Sequence, residues 1–208
     1  MSRSAARVAY VAAALNAIAA VAMLLVLREG LPVPGASVDT RIEFINHHHV
    51  LWNAGWLTWH LAALSLVALY AVLASRWLPT RRLESVLGMA FVVAGLTADL
   101  SAEALYMGLL PSLRSEAFLT AERVIGLLTG YVANGLYTLG GIALTIAGRD
   151  ELPGALIRFS IVVWLAGLAL SATTLMDSGA GEMASTAILM PSFILWTFLI
   201  GRWLDRID

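Results

Sequence analysis

The chain has 208 residues, of which 60% are hydrophobic and only 13% are charged, whereas soluble domains carry about 25% charged residues. This composition predicts a protein that folds in a lipid bilayer, and the length predicts one domain over residues 1–208. With no cysteine, no lysine and a net charge of −1, the chain lacks the groups for disulfides, thiolate metal sites or a Schiff base, and no nucleic-acid partner is expected.

Apolar stretches long enough to cross a bilayer recur along the whole chain. A membrane-spanning helix needs about 20 consecutive, mostly apolar residues. The stretches that meet this requirement predict an all-α membrane protein, a bundle of six transmembrane helices: Arg7–Leu27, Val50–Ser75, Leu83–Gly108, Glu122–Ala147, Ala155–Asp177 and Met183–Leu204. The first stretch is longer than the ~7–15 apolar residues of a signal peptide, and we interpret it as a retained span.

Arginines concentrate at one end of these spans. That end carries the following residues: Arg3, Arg7, Arg76, Arg81, Arg82, Arg149, Arg158, Arg202 and Arg206. The opposite end has fewer arginines, and acidic residues accompany them. The positive-inside rule therefore predicts that both termini lie in the cytoplasm, as in a multi-pass protein of the bacterial inner (plasma) membrane. The longer outer segments, 28–46 and 109–120, are each expected to form a short interfacial helix or a lid.

Polar residues within the spans lie almost entirely in the outer halves. At ~100° per residue, one face of the second span carries a polar and aromatic stripe: Asn46, His49, Asn53, Trp56 and His60. A second stripe follows i, i+4, i+7 spacing on the third span: Asp99, Glu103 and Tyr106.

Residues on three consecutive spans are expected at similar depth. At ~1.5 Å of rise per residue, His60 lies roughly 15 Å, Asp99 about 13 Å and Asn134 about 18 Å from the outer ends of their spans. The simplest arrangement is one shared pocket, surrounded by the second to the fifth spans and open towards the outer side. The cytoplasmic halves contain no deep carboxylate, histidine or arginine. That pattern predicts a blind pocket and favours an enzyme or a binding protein over a conduit.

Asp99 and Glu103 are the candidate catalytic acid and base. Two carboxylates on one helix face within a membrane can share a proton, and His60 is the expected partner or proton relay. In the alternative interpretation, each carboxylate only stabilises the bundle, for example by pairing with Arg123 or the Asn134 amide. Polar and aromatic residues in the outer halves are predicted to bind substrate: His49, Asn53, Trp56, Tyr106, Asn134, Tyr137 and Asp177.

Histidines at positions 47–49 form the most conspicuous polar run. Adjacent helical residues point ~100° apart, so these three cannot bind one metal unless the helix is broken there. His49 and His60 are separated by about 16 Å along a helix, too far for one ion. No cofactor is therefore predicted; the alternative is a divalent metal at His49 or His60 together with Asp99 or Glu103.

No catalytic motif names a reaction. We expect an integral membrane enzyme that acts on a small lipophilic substrate in an outward-facing intramembrane pocket. Its chemistry would be carboxylate general acid/base catalysis of the isomerisation or cyclisation type. Two alternatives remain: a proton- or metal-coupled small transporter, and a non-catalytic accessory subunit of a membrane complex. The expected partners are membrane lipids and a small lipophilic ligand.

Overall fold

The computed structural model describes residues 4–33 and 36–207 of the chain; Arg3 lies outside this part. Helices form nearly all of the described residues, and no strand occurs among them. The α-helices are α1 Ser4–Leu25, α2 Val38–His47, α3 His49–Trp77, α4 Arg82–Gly108, α5 Ser115–Gly126, α6 Asn134–Ala147, α7 Gly154–Leu175 and α8 Gly179–Ile207. Two 3-10 turns occur at Leu27–Gly30 and Leu110–Ser112, and a π-helical segment, Leu127–Ala133, joins α5 to α6.

Six stretches of the described chain are long and apolar enough to cross a membrane. They are Ser4–Leu25, His49–Trp77, Arg82–Ser112, Ser115–Ala147, Gly154–Leu175 and Gly179–Ile207. The prediction of an all-α, multi-pass membrane protein with six spans is confirmed. The span boundaries differ most in the fourth span, which begins at Ser115 rather than at Glu122.

Consecutive spans pack as neighbours and close into a ring. α1 packs on α3, α3 on α4, α4 on the α5–α6 span, α6 on α7 and α7 on α8, and α8 returns to pack against α1. The short link between α3 and α4 and the one between α6 and α7 lie at the same end as the termini. Ion pairs join these links there: Arg76 with Glu151 at 2.8 Å, and Arg81 with Asp150. The hydrogen bond from Arg81 lowers the pKa of Asp150.

Glycines allow α4 and α6 to approach closely. A Cβ atom at Gly140 would lie 2.5 Å from Val92 Cγ2 and 2.9 Å from the Gly88 carbonyl oxygen. A Cβ at Gly88 would in turn lie 2.8 Å from Leu144 Cγ. Small residues at such crossings let two backbones approach within van der Waals contact. The crossing therefore brings the outer halves of α4 and α6 within reach of each other's polar side chains.

Buried side chains form two layers along the bundle. The layer near the termini contains six large aromatic residues with little exposure: Tyr70, Trp77, Trp164, Phe193, Trp196 and Trp203. The layer at the opposite end, here called the outer layer, includes Trp52, Trp56, Tyr106 and Phe118. The polar residues singled out from the sequence lie in or beside the outer layer. The site is therefore built at one end of an otherwise apolar bundle.

Candidate functional site

His60 and Glu103 are joined directly across α3 and α4. His60 Nδ1 and Glu103 Oε2 share a hydrogen bond of 2.8 Å. The Glu103 side chain is 2% exposed, whereas the His60 side chain is 33% exposed. A carboxylate that holds one ring nitrogen fixes the orientation of the imidazole and leaves the other nitrogen, Nε2, for a second partner. This pair combines a buried positioning group with an accessible acid/base group.

Asp99 lies one helical turn before Glu103 on the same face of α4, but it contacts the fourth span and not α3. Thr129 Oγ1 donates a hydrogen bond of 2.7 Å to Asp99 Oδ1. The Tyr137 hydroxyl donates a longer one, of 3.3 Å, to Asp99 Oδ2. Together with the His60–Glu103 pair, these contacts link three consecutive spans through titratable or hydroxyl side chains. We call His60, Asp99, Glu103, Thr129 and Tyr137 the polar cluster.

The π-helical segment brings both hydroxyl donors to Asp99. Thr129 lies within it and Tyr137 follows it by one turn. In a regular α-helix, two residues at this spacing would be offset by ~80° around the axis. An i→i+5 turn accommodates one more residue than an α-turn, which reduces the offset to about 20°. The two donors therefore share one face only because the helix is widened at this level.

The Asn134 side chain forms its hydrogen bonds with α7 and not with α3 or α4. Its Nδ2 donates to the Gly167 carbonyl at 2.7 Å and to Ser171 Oγ at 2.9 Å, and both acceptors belong to α7. The structure thus differs from the arrangement expected from depth alone, in which Asn134 faces His60 and Asp99. Similar depth on neighbouring helices does not determine which neighbour a side chain faces, because depth gives no information on rotation about the helix axis.

Trp56 and Tyr106 pack in the outer layer beside the polar cluster. Their rings stack with centroids 4.0 Å apart and an interplanar angle of 10°. His49 and Asn53 are exposed on the outer turns of α3. Asp177 is exposed beyond the end of α7 and forms an ion pair of 3.0 Å with Arg123. Of the predicted substrate-binding residues, only Tyr137 contacts one of the predicted catalytic residues through a hydrogen bond.

The helix is broken at His48, which corrects the predicted stripe on the second span. His48 separates α2 from α3 with φ −117° and ψ 32°, so Asn46 does not lie on the same helix as His49 and His60. Even with this break, no group of three or more His, Asp or Glu side chains in residues 4–33 and 36–207 is arranged to hold a metal ion.

A buried ion pair between Arg41 and Glu122 lies closer to the outer end of the bundle than the polar cluster does. The sequence analysis did not identify this pair. The Arg41 guanidinium contacts Glu122, donates from Nε to the Gly30 carbonyl at 3.2 Å, and lies 5.4 Å from the centroid of the Phe118 ring. Burial lowers the pKa of Arg41. On α2, Arg41, Ile42 and Ile45 are all buried. The helical spacing of the two isoleucines was the available signal that Arg41 faces inward.

Glu122 and Arg123 both serve the packing of the outer end. Because α5 begins at Ser115, Glu122 is an internal helix residue and not the N-terminal residue that the sequence indicated. Arg123 donates hydrogen bonds to the carbonyls of Thr174 and Leu175 at the end of α7, at 2.8 and 3.2 Å. A cation at a helix C-terminus is stabilised by the helix dipole. Neither Arg41 nor Arg123 is ion-paired with Asp99 or Glu103.

The accessible side of His60 faces the lipid. Leu57 and Leu64 precede and follow His60 by one turn, and both are exposed on the outside of the bundle. Residues at i−3 and i+4 lie on the same helix face as residue i. The exposed part of the imidazole is therefore presented towards the hydrocarbon region of the bilayer, where an uncompensated polar group is costly.

No family model matches the chain, and neither does any curated protein or any solved structure. The fold and composition define a multi-pass α-helical membrane protein, and the argument for its function depends on the polar cluster.

Proposed function

We propose that this chain is an integral membrane enzyme that acts on a small lipophilic substrate by general acid/base catalysis at the polar cluster. The observation that carries the proposal is the His60–Glu103 pair, which joins a buried carboxylate to an imidazole at the lipid-facing surface. Ionisable residues in a membrane interior are costly, and their presence by default indicates function. Active sites often contain a catalytic base whose orientation is fixed by a neighbouring side chain.

The roles follow from which groups are accessible. His60 is the group that contacts substrate, and its Nε2 takes a proton from one substrate carbon. Glu103 positions the ring and stabilises the imidazolium that forms. Asp99, held by Thr129 and Tyr137 and protonated at the start of the turnover, donates its proton to another carbon. The proton on His60 then returns to Asp99, which restores both groups. The reaction is then an isomerisation, with no net consumption of protons and no co-reactant.

Two indole N–H groups near His60 on α3 have no hydrogen-bond acceptor among the described residues, which favours a substrate that carries one. Within residues 4–33 and 36–207, Trp56 Nε1 and Trp59 Nε1 are buried and have no acceptor. A buried donor without a partner costs about 1–3 kcal/mol, and a ligand oxygen would remove that cost. Trp56 lies one turn from His60 on the same helix. The proposed substrate is therefore apolar with at least one carbonyl, hydroxyl or ether oxygen.

The packing of the cytoplasmic half favours an enzyme over a transporter. A conduit requires a polar route on both sides of its binding site. In the layer near the termini, Trp164 Nε1 donates to Thr145 Oγ1 at 3.0 Å and Trp196 Nε1 donates to Ser160 Oγ at 2.8 Å. The Tyr70 hydroxyl, Trp77 Nε1 and the Ser85 hydroxyl of the same half are buried without a partner among the described residues. None of the buried charged residues of the described chain lies in that half, which supports a site that is open on one side only.

The proposal is tested by following solvent hydrogen into lipophilic compounds. The full chain, reconstituted in lipid nanodiscs, is incubated in D2O with an apolar extract of bacterial membranes, and deuterium incorporation is followed by mass spectrometry. We expect protein-dependent incorporation into a defined compound class. His60→Gln and Glu103→Gln should each reduce its rate by roughly 100-fold or more, the usual contribution of a general acid or base.

His47→Gln and Glu116→Gln are the matched controls, because each makes the same chemical change at an exposed residue outside the cluster. Both should retain the wild-type rate. Equal loss in the controls, or no protein-dependent incorporation with any extract, would reject the enzyme. Proton uptake coupled to a solute in proteoliposomes would then indicate the transporter. Co-purification with another membrane protein from native membranes would indicate the accessory subunit.

A further inference from the structure

An apolar groove runs between α1 and α3, from the middle of α3 towards the end of the bundle where the termini lie. It has a volume of about 220 Å3 and is lined by Arg7, Val8, Val11, Ser65 and Ala68. The Ser65 hydroxyl is buried and donates its proton to the Ala62 carbonyl at 2.7 Å. The groove therefore presents a hydrocarbon surface along its length. Its two walls are neighbouring helices, so it runs parallel to them, as lipid chains do.

Small side chains create the groove. The face of α1 that packs into the bundle is built from alanines: Ala5, Ala6, Ala9, Ala12 and Ala13. On α3, Ala68 is exposed at the groove and leaves its floor open. An alanine-rich interface lets the two helices approach closely at their backbones, but the larger side chains on either side remain apart. A gap therefore remains between them.

Arg7 supplies the charge at the mouth of this groove. It lies in the first turn of α1 and is exposed, and within the described chain it forms no ion pair. Arg76 and Arg81, at the same end of the bundle, are by contrast paired with acidic residues. An unpaired guanidinium at the membrane surface attracts phosphate, with which it forms charge-assisted hydrogen bonds.

We propose that this groove binds one acyl chain of an anionic phospholipid whose phosphate is held by Arg7. The complementarity has two parts, a hydrocarbon channel of fixed direction and a cation at its mouth. Arg7 lies at the end with the termini, whereas the other end of the groove, at Ser65, is about one and a half turns from His60 on α3. The proposal uses no residue of the polar cluster, so it does not rest on the proposed enzyme activity.

The test is native mass spectrometry of the purified full chain, titrated with palmitoyl-oleoyl-phosphatidylglycerol or with the phosphatidylcholine of the same chains. The wild type should bind the anionic lipid about fivefold more tightly, the usual contribution of one basic residue near a membrane surface. Arg7→Gln should abolish this preference. Ala68→Phe, which fills the groove, should weaken binding of both lipids.

The control variants carry the same types of substitution at exposed positions of other helices, away from the groove. Arg158→Gln removes an exposed arginine of α7 near the same end, and Ala90→Phe enlarges an exposed alanine of α4. Both should bind lipid as the wild type does, and all variants should elute as the wild type in size-exclusion chromatography. Equal loss of selectivity in Arg7→Gln and Arg158→Gln, or wild-type binding by Ala68→Phe, would overturn the site.

Discussion

Glu103 is buried beside an imidazole and Asp99 is half-buried beside two hydroxyls, while the nearby arginines are used elsewhere. Arg41 is held by Glu122, and Arg123 by carbonyls at the end of α7. A carboxylate paired with arginine is locked in its charged form, because arginine does not lose its proton in proteins. A carboxylate paired with histidine can exchange a proton with it, and a carboxylate held by hydroxyls has no fixed cation that keeps it in its charged form. The choice of partners therefore separates residues that stabilise the bundle from residues suited to chemistry.

At the residue scale, the two donors to Asp99 should differ in their contribution to stability. Thr129→Val removes the 2.7 Å hydrogen bond without changing shape. It leaves the half-buried Asp99 carboxylate without its shorter hydrogen bond, and a loss of about 1–3 kcal/mol is expected. Tyr137→Phe removes the 3.3 Å bond and should cost less, about 0.5–1.5 kcal/mol. The free energy of unfolding in lipid bicelles measures both.

Thr97→Val is the matched control for these substitutions. Thr97 is an exposed residue of α4, and its hydroxyl donates to the Val93 carbonyl of its own helix at 3.0 Å. Its replacement should change stability by less than about 0.5 kcal/mol. If Thr129→Val were no more destabilising than Thr97→Val, the contact between Thr129 and Asp99 would not hold in the membrane.

At the scale of helices, the fourth span illustrates what periodicity can and cannot predict. Its apolar length and the outer position of its polar residues were read from the sequence. The π-helical segment was not, because an i→i+5 turn has no distinctive composition and depends on packing against neighbouring helices. Without it, Thr129 and Tyr137 would not face Asp99 together. The wider π-helical turn therefore determines that Thr129 and Tyr137 both donate to Asp99.

Two glycines of the fourth span should respond in opposite ways to alanine. Gly140→Ala places a Cβ 2.5 Å from Val92 and 2.9 Å from the Gly88 backbone, so α4 and α6 must separate; overpacking of this kind costs about 1–3 kcal/mol. Gly126→Ala meets no atom within 4 Å and should stabilise the helix by about 0.5–1 kcal/mol. Thermal unfolding in detergent compares them, and the same sign for both would contradict the close crossing.

At the scale of the whole molecule, the two ends of the bundle differ in character. The end with the termini is packed with tryptophans and edged with arginines. The opposite end contains the polar cluster, covered by α2 and the Arg41–Glu122 pair. This asymmetry is the physical basis for expecting one functional side. The arginine distribution predicts that the end with the termini faces the cytoplasm.

Because the chain has no cysteine, single cysteines provide a direct test of that orientation. Thr80→Cys lies in the link between α3 and α4, and Ser112→Cys lies in the turn after α4; both positions are exposed. In intact cells, a membrane-impermeant maleimide should label Ser112→Cys and leave Thr80→Cys unlabelled until the cells are permeabilised. The reverse pattern would invert the bundle and place the polar cluster on the cytoplasmic side.

The sequence by itself determined the properties that depend on composition and local spacing. Apolar runs of sufficient length specify six membrane-spanning helices, since in lipid each backbone must satisfy its own hydrogen bonds. Helical spacing likewise placed Asp99 and Glu103 one turn apart on α4. The tertiary structure decided which helix each side chain faces: Glu103 pairs with His60, Asp99 with Thr129 and Tyr137, and Asn134 with α7. Those partners depend on rotation and crossing of whole helices, which close packing at distant glycines sets and local periodicity does not encode.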